Sequence, residues 1–226
     1  MKKNKALTAA ISVLSLTMVS MCAIGGTFAK YTTNDSGSDT ATVATWGVNV
    51  VVEGEATAIK DTFDSNAEAH VKTNTGELMA PGTKGNLAKV TLSGTPEVDV
   101  EVTYTPTLTL AGWTLEDSSQ YCPLVFTVGT TDCSIGGALP ADFTDTVGSD
   151  NKITDQAELK AAVEHAISKL GATYAAGTDL STASKTSVIS WSWAFEGENE
   201  KDTELANKAT LPSVTLDLTV TATQVD

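Results

Sequence analysis

Val214-Thr215-Leu216-Asp217-Leu218-Thr219-Val220-Thr221-Ala222-Thr223 decides the fold class. Val214, Leu216, Leu218, Val220 and Ala222 fall on one side of an extended chain, and Thr215, Asp217, Thr219, Thr221 and Thr223 on the other. Strict period-two alternation describes a strand with one dry and one wet face, as in antiparallel sheets. Val98, Val100, Val102 and Tyr104 oppose Asp99, Glu101, Thr103 and Thr105 in the same way. Ile189, Trp191, Trp193 and Phe195 alternate with Ser190, Ser192 and Ala194, and Ala44, Trp46, Val48, Val50 and Val52 make a fourth set. Shorter candidates are Thr57–Ile59, Ala69–Lys72, Leu87–Leu92, Thr107–Leu110 and Leu124–Val128. Trp191 and Trp193, two apart, share an apolar face and read as core rather than as a sugar-stacking pair.

One segment carries helical spacing. From Asp155 to Leu170 the apolar positions are Leu159, Ala162, Val163, Ala166, Ile167 and Leu170. Asp155 and Glu158 have the offset of a capping box, and Gly171 sits where a C-cap glycine belongs. Strands interrupted once by a helix exclude a doubly wound sheet. The expectation is a mainly β chain: an antiparallel β-sandwich, jelly-roll-like, with one inserted α-helix at about 155–170 and an N-terminal signal helix. Residues 45–226 form the single sandwich domain. The Gly/Ser/Thr/Asp-rich stretches Thr130–Asp150 and Ala172–Thr186 read as surface loops within a helical insertion, 130–186.

The chain has 226 residues, 14 lysines and no arginine against 28 acidic residues, for a net charge of −14. Nucleic-acid partners are excluded on this balance, because phosphate binding needs clustered cations. Apolar residues at 41% support a real core. There is no HExxH, GxSxG, P-loop or CxxC, so no catalytic residue, no cofactor and no metal ligand is expected, and the chain is not expected to be an enzyme. His165 falls between apolar helical positions, and His70 has no second histidine at metal spacing. The acidic run Glu196, Glu198, Glu200, Asp202, Glu204 lacks calcium-loop grammar and reads as a solvated loop, as do Asp142, Asp145 and Asp150.

Residues 1–29 read as a signal peptide. Lys2, Lys3 and Lys5 precede an uncharged stretch from Ala6 to Ile24, and Thr27-Phe28-Ala29 offers a small-x-small site, placing cleavage between Ala29 and Lys30. The competing reading is an uncleaved anchor, since the stretch approaches a bilayer span of ~20 residues. Cys22 leaves with the leader. Export into an oxidising compartment makes Cys122 and Cys133 a disulfide candidate, with two reduced, partly buried thiols as the alternative.

Three motifs resemble a known family. The leader ending Gly25-Gly26-Thr27-Phe28-Ala29, followed by Tyr31 and Asn34-Asp35, is similar to leaders cut by the SipW-type signal peptidase of Gram-positive bacteria. Met79-Ala80-Pro81-Gly82-Thr83-Lys84-Gly85, leading into Leu87–Leu92 and Val98–Tyr104, resembles the proline-glycine turn and following strands of the TasA/camelysin family. The closing Leu216–Gln224, with its Ala-Thr-Gln ending, is similar to that family's last strand. The resemblance implies a secreted jelly-roll subunit of biofilm-matrix or cell-surface fibres. It further implies self-association, with or without an accessory matrix subunit, in which an N-terminal arm completes the sheet of the next copy. Here that arm is residues 30–44, polar and flexible up to Asp39 and patterned from Thr40. Tyr31, Ala41 and Val43 are its donor-strand side chains. The other readings of the residues are a monomeric adhesin that binds through sandwich loops and, more distantly, a secreted metallopeptidase. The last label attaches to some camelysin relatives, but a zinc peptidase needs three placed ligands and a base, which these residues do not offer.

Overall fold

The computed structural model describes residues 32–36, 41–42, 47–53, 78–144, 150–182, 185–195 and 197–225. The leader with its Ala29/Lys30 junction, Tyr31, Val43, Ala44, Trp46, His70, Asp145, Glu196 and the segments Thr57–Ile59 and Ala69–Lys72 lie outside the described residues.

Two antiparallel sheets dominate. In chain order the strands are β1 (Thr32–Ser36), β2 (Ala41–Thr42), β3 (Val48–Glu53), β4 (Lys84–Gly94), β5 (Val100–Ala111), β6 (Leu124–Val128), β7 (Thr131–Cys133), β8 (Ala172–Tyr174), β9 (Thr186–Trp193) and β10 (Ser213–Gln224). Helix α1 (Gln156–Ser168) lies between β7 and β8, and α2 (Asn199–Ala206) between β9 and β10. One sheet runs β1-β10-β5-β8 and the other β2-β3-β4-β9-β6-β7. Side chains from both inner faces, from Val48 in β3 to Ala222 in β10, join one buried apolar cluster, an arrangement consistent with a β-sandwich.

β5 runs unbroken where the sequence suggests two strands. It pairs with β10 over its full length, with Pro106 opposite Leu218. The N–H of Leu108 is taken by Glu164 of α1, so it points away from β10. Pro106, two residues earlier, has the same orientation, and the donor it lacks is therefore missing from the outer side and not from the ladder.

Helix α1 begins as its spacing predicts. Asp155 accepts the N–H of Glu158 at 2.8 Å, and Glu158 reaches back to the N–H and hydroxyl of Thr154 at 2.8 and 3.0 Å. Leu159, Ala162, Val163, Ala166 and Ile167 are buried. The C-cap differs from expectation: it is Lys169 in right-handed conformation. Gly171 serves another purpose, since a Cβ there would stand 2.9 Å from the carbonyl oxygen of Val102, too close for a side chain.

Other expectations are corrected. The stretches read as loops contain the short strands β7 and β8, each held by a longer neighbour. The acidic run is no loop: Glu200, Asp202 and Glu204 lie on α2, a second helix, and Asp202 and Leu205, three apart, make its buried side. β9 ends at Trp193, so Phe195 leaves the sheet and is exposed. Trp191 and Trp193 are buried.

Candidate functional site

Sheet edges concern a reading based on strand addition. The longest strands are interior, with twelve residues in β5 and in β10 and eleven in β4. The outermost strands are short: five residues in β1, two in β2, three in β7 and three in β8. Short edges limit uncontrolled pairing.

The 30–44 region supplies one edge of each sheet. β1 pairs with Thr219–Thr223 of β10, and β2 with Asn49 and Val50 of β3. The arm expected to be patterned only from Thr40 therefore forms its longer strand earlier, at Thr-Thr-Asn-Asp-Ser. Backbone hydrogen bonds to an open strand edge override a polar local sequence. Ala41 lies in β2 opposite Val50; Lys30, Tyr31 and Val43 are outside the described residues. On that side of β10, Ser213–Leu218 has no strand partner among the described residues.

A cavity of about 550 Å³ opens at the end of the sandwich where β10 begins. Leu78–Pro81 forms one wall, Asp202, Leu205 and Ala206 of α2 another, and Leu211–Val214 a third, with Trp113 and Trp193 between them. The proline-glycine turn is fixed there by its neighbours. The Thr83 hydroxyl donates to the Ala80 carbonyl at 2.6 Å, and the backbones of Gly82 and Thr83 bracket that of Trp193 at 2.9 Å each. Trp113 donates Nε1–H to the Ser213 carbonyl at 2.9 Å and meets Trp193 at a ring separation of 5.6 Å, tilted by 60°. Lys208 ties this end together, its ammonium donating to the carbonyls of Gly112 and Thr114 and to the Thr114 hydroxyl. A smaller hollow, lined by Phe195, Asn199 and Thr203, shares Pro81, Asp202 and Ala206 with it.

Among the described residues, Asp202 is the single charged side chain lining the larger cavity. It accepts from the Tyr121 hydroxyl at 2.8 Å. Burial, then the hydrogen bond to Asp202 and its charge, hold the phenol of Tyr121 well above its ordinary range, so Tyr121 keeps its proton and remains the donor. The sequence reading missed this pair, whose members are 81 residues apart. The Asp202–Leu205 spacing was the available signal.

Cys122 and Cys133 are separate, buried, free thiols, so the expected bridge is not formed. The ladder explains why. Cys133 lies opposite Phe126, while Cys122 is four residues back along the chain, about 13 Å if extended. A disulfide needs Cα atoms within roughly 7 Å. Burial pushes Cys122 up to about 12 and Cys133 up to about 11.

The remaining candidates are dispersed. His165 Nε2 is 3.4 Å from the Ala141 carbonyl and meets the Phe143 ring edge-on at 5.3 Å. Asp150 accepts the N–H of Lys152 in a local turn. No group of three His, Cys, Asp or Glu among the described residues could hold a metal, and no described helix is long and apolar enough to cross a membrane. Comparison with family models, with curated proteins and with solved structures returns no match.

Proposed function

We propose that this chain is a secreted, non-enzymatic structural protein of the TasA/camelysin type, with a jelly-roll sandwich. In this reading its leader is removed between Ala29 and Lys30 by a SipW-type peptidase, and the mature subunits assemble into biofilm-matrix or cell-surface fibres. The carrying observation is the arrangement around β10. A segment of the N-terminal arm pairs with Thr219–Thr223 on one edge of this twelve-residue strand, and Ser213–Leu218 on that edge has no described strand partner. A short polar strand held at an edge by backbone bonds can be exchanged for the same strand of a neighbouring copy, and repetition of that exchange builds an open, head-to-tail filament.

Negative-stain electron microscopy of the mature chain and of a chain lacking residues 30–44 tests the proposal. Regular filaments from the first, and folded monomers without filaments from the second, are expected. Identical filaments from both would remove the arm from the mechanism. Monodisperse monomer from both would favour the second reading, a monomeric binding module, for which the apolar cavity beside Trp113 and Trp193 is the specific support.

A further inference from the structure

Three exposed large apolar side chains converge on one end of the sandwich. Leu78 (45% exposed) and Leu211 (57%) line the 550 Å³ cavity, and Phe195 (53%) lines the hollow beside it. Apolar surface gathered in this way marks a contact site more often than scattered exposure does. The volume is that of a small-molecule pocket, about 300–1,000 Å³.

The charge in this cavity defines what it would hold. Asp202 is 6% exposed, and its described partner is a neutral hydroxyl. Two described ammonium groups at this end, those of Lys201 and Lys208, are engaged by other partners. Lys201 is 3.1 Å from Glu198 and lies over the Tyr121 ring, and Lys208 is bound by carbonyls. A buried carboxylate without a cationic partner is costly to keep in place. Trp113 and Trp193 line the same cavity, and indole rings attract cations that reach their faces. Glu198, Glu200 and Glu204, on and next to α2, carry the same sign as Asp202. An anionic ligand would meet repulsion, and a neutral apolar one would leave the carboxylate unmatched.

We propose that this cavity is a binding site for a small amphipathic amine: an aliphatic or aromatic body seated between Leu78, Leu211 and the two tryptophans, with its ammonium at Asp202. The cavity shares Ser213 and Val214 with the start of β10, but amine binding at Asp202 does not rest on fibre assembly.

Titration of the purified full chain with 2-phenylethylammonium, 2-phenylethanol and 3-phenylpropionate, followed by tryptophan emission, tests it. A saturable change is expected for the ammonium probe. The alcohol should bind at least about tenfold more weakly, the equivalent of roughly 1.4 kcal/mol, and the carboxylate should not bind measurably. Asp202→Asn should bring the ammonium probe down to the affinity of the alcohol. Because that change also alters the Tyr121 contact, Leu211→Lys at the exposed mouth provides a second test: it should weaken the ammonium probe and admit the carboxylate. Equal affinity for all three probes, no saturable change with the ammonium, or unchanged ammonium binding in the folded variants would overturn the proposal.

Discussion

Glu164 of α1 accepts the backbone N–H of Leu108 in β5 across 2.7 Å. β8 covers that edge of β5 only from Val100 to Val102, and the helix takes over where the strand partner stops. A side-chain carboxylate thus stands in for a ladder partner, and an amide that would otherwise lack an acceptor is satisfied.

Removal of that acceptor should be costly. Glu164→Ala is expected to lower the unfolding free energy by about 1–3 kcal/mol, the penalty for an unsatisfied, partly buried donor, and Glu164→Gln should recover part of it. Urea unfolding of the two variants checks this, and equal stability of Glu164→Ala and the parent would contradict it.

The two thiols make stability fall in alkali. Their folded pKa values, about 12 for Cys122 and about 11 for Cys133, lie above the unfolded value near 9. The folded state therefore binds more protons than the unfolded state between these limits. The stabilisation is complete below pH 9 and is lost as pH rises toward 11–12, at roughly 1.4 kcal/mol per pH unit per thiol. Unfolding curves from pH 8 to 10.5 should be less steep in pH for the Cys122→Ala/Cys133→Ala double variant than for the parent.

Reducing agent should leave the melting temperature unchanged, since no bridge joins Cys122 and Cys133. Peptide mapping of the non-reduced protein should recover the two residues on separate peptides. A linked peptide would show that β6 and β7 pair differently from the register observed.

Gly94 cannot accept a side chain. Its φ is +100°, and a Cβ would stand 1.8 Å from the carbonyl oxygen of Gly47, where β3 and β4 meet. Gly94→Ala should destabilise by about 1–3 kcal/mol or more, from backbone strain and displacement of the strand end. Thermal denaturation compares it with Gly129→Ala, also at positive φ but with nothing within 4 Å, which should be affected less.

Fibre bundling should respond to salt. In the proposed fibre the mature subunit, without Lys2, Lys3 and Lys5, would carry a net charge of −17, and lateral repulsion between copies would be screened within about 10 Å at 0.1 M salt. Electron micrographs should show thicker bundles at high than at low ionic strength. Bundle width independent of salt would mean that carboxylate repulsion does not limit lateral contact.

The sequence by itself determined the strands whose two faces differ. β10, β6 and the core of β9 are legible because alternation records which side of each residue meets water, and α1 because its 3.6-residue period and Asp155 cap are local signals. Tertiary structure alone decided the rest. β1, β7 and β8 are polar or very short, and they are strands because a neighbouring edge supplies hydrogen bonds. Asp202 faces inward because Tyr121, distant in sequence, donates to it. Cys122 and Cys133 stay apart because the register of two strands, which composition does not encode, sets how far along the sheet each one falls. Periodicity reports a residue's own exposure, whereas register and partnership are properties of pairs of segments that meet only after the chain has folded.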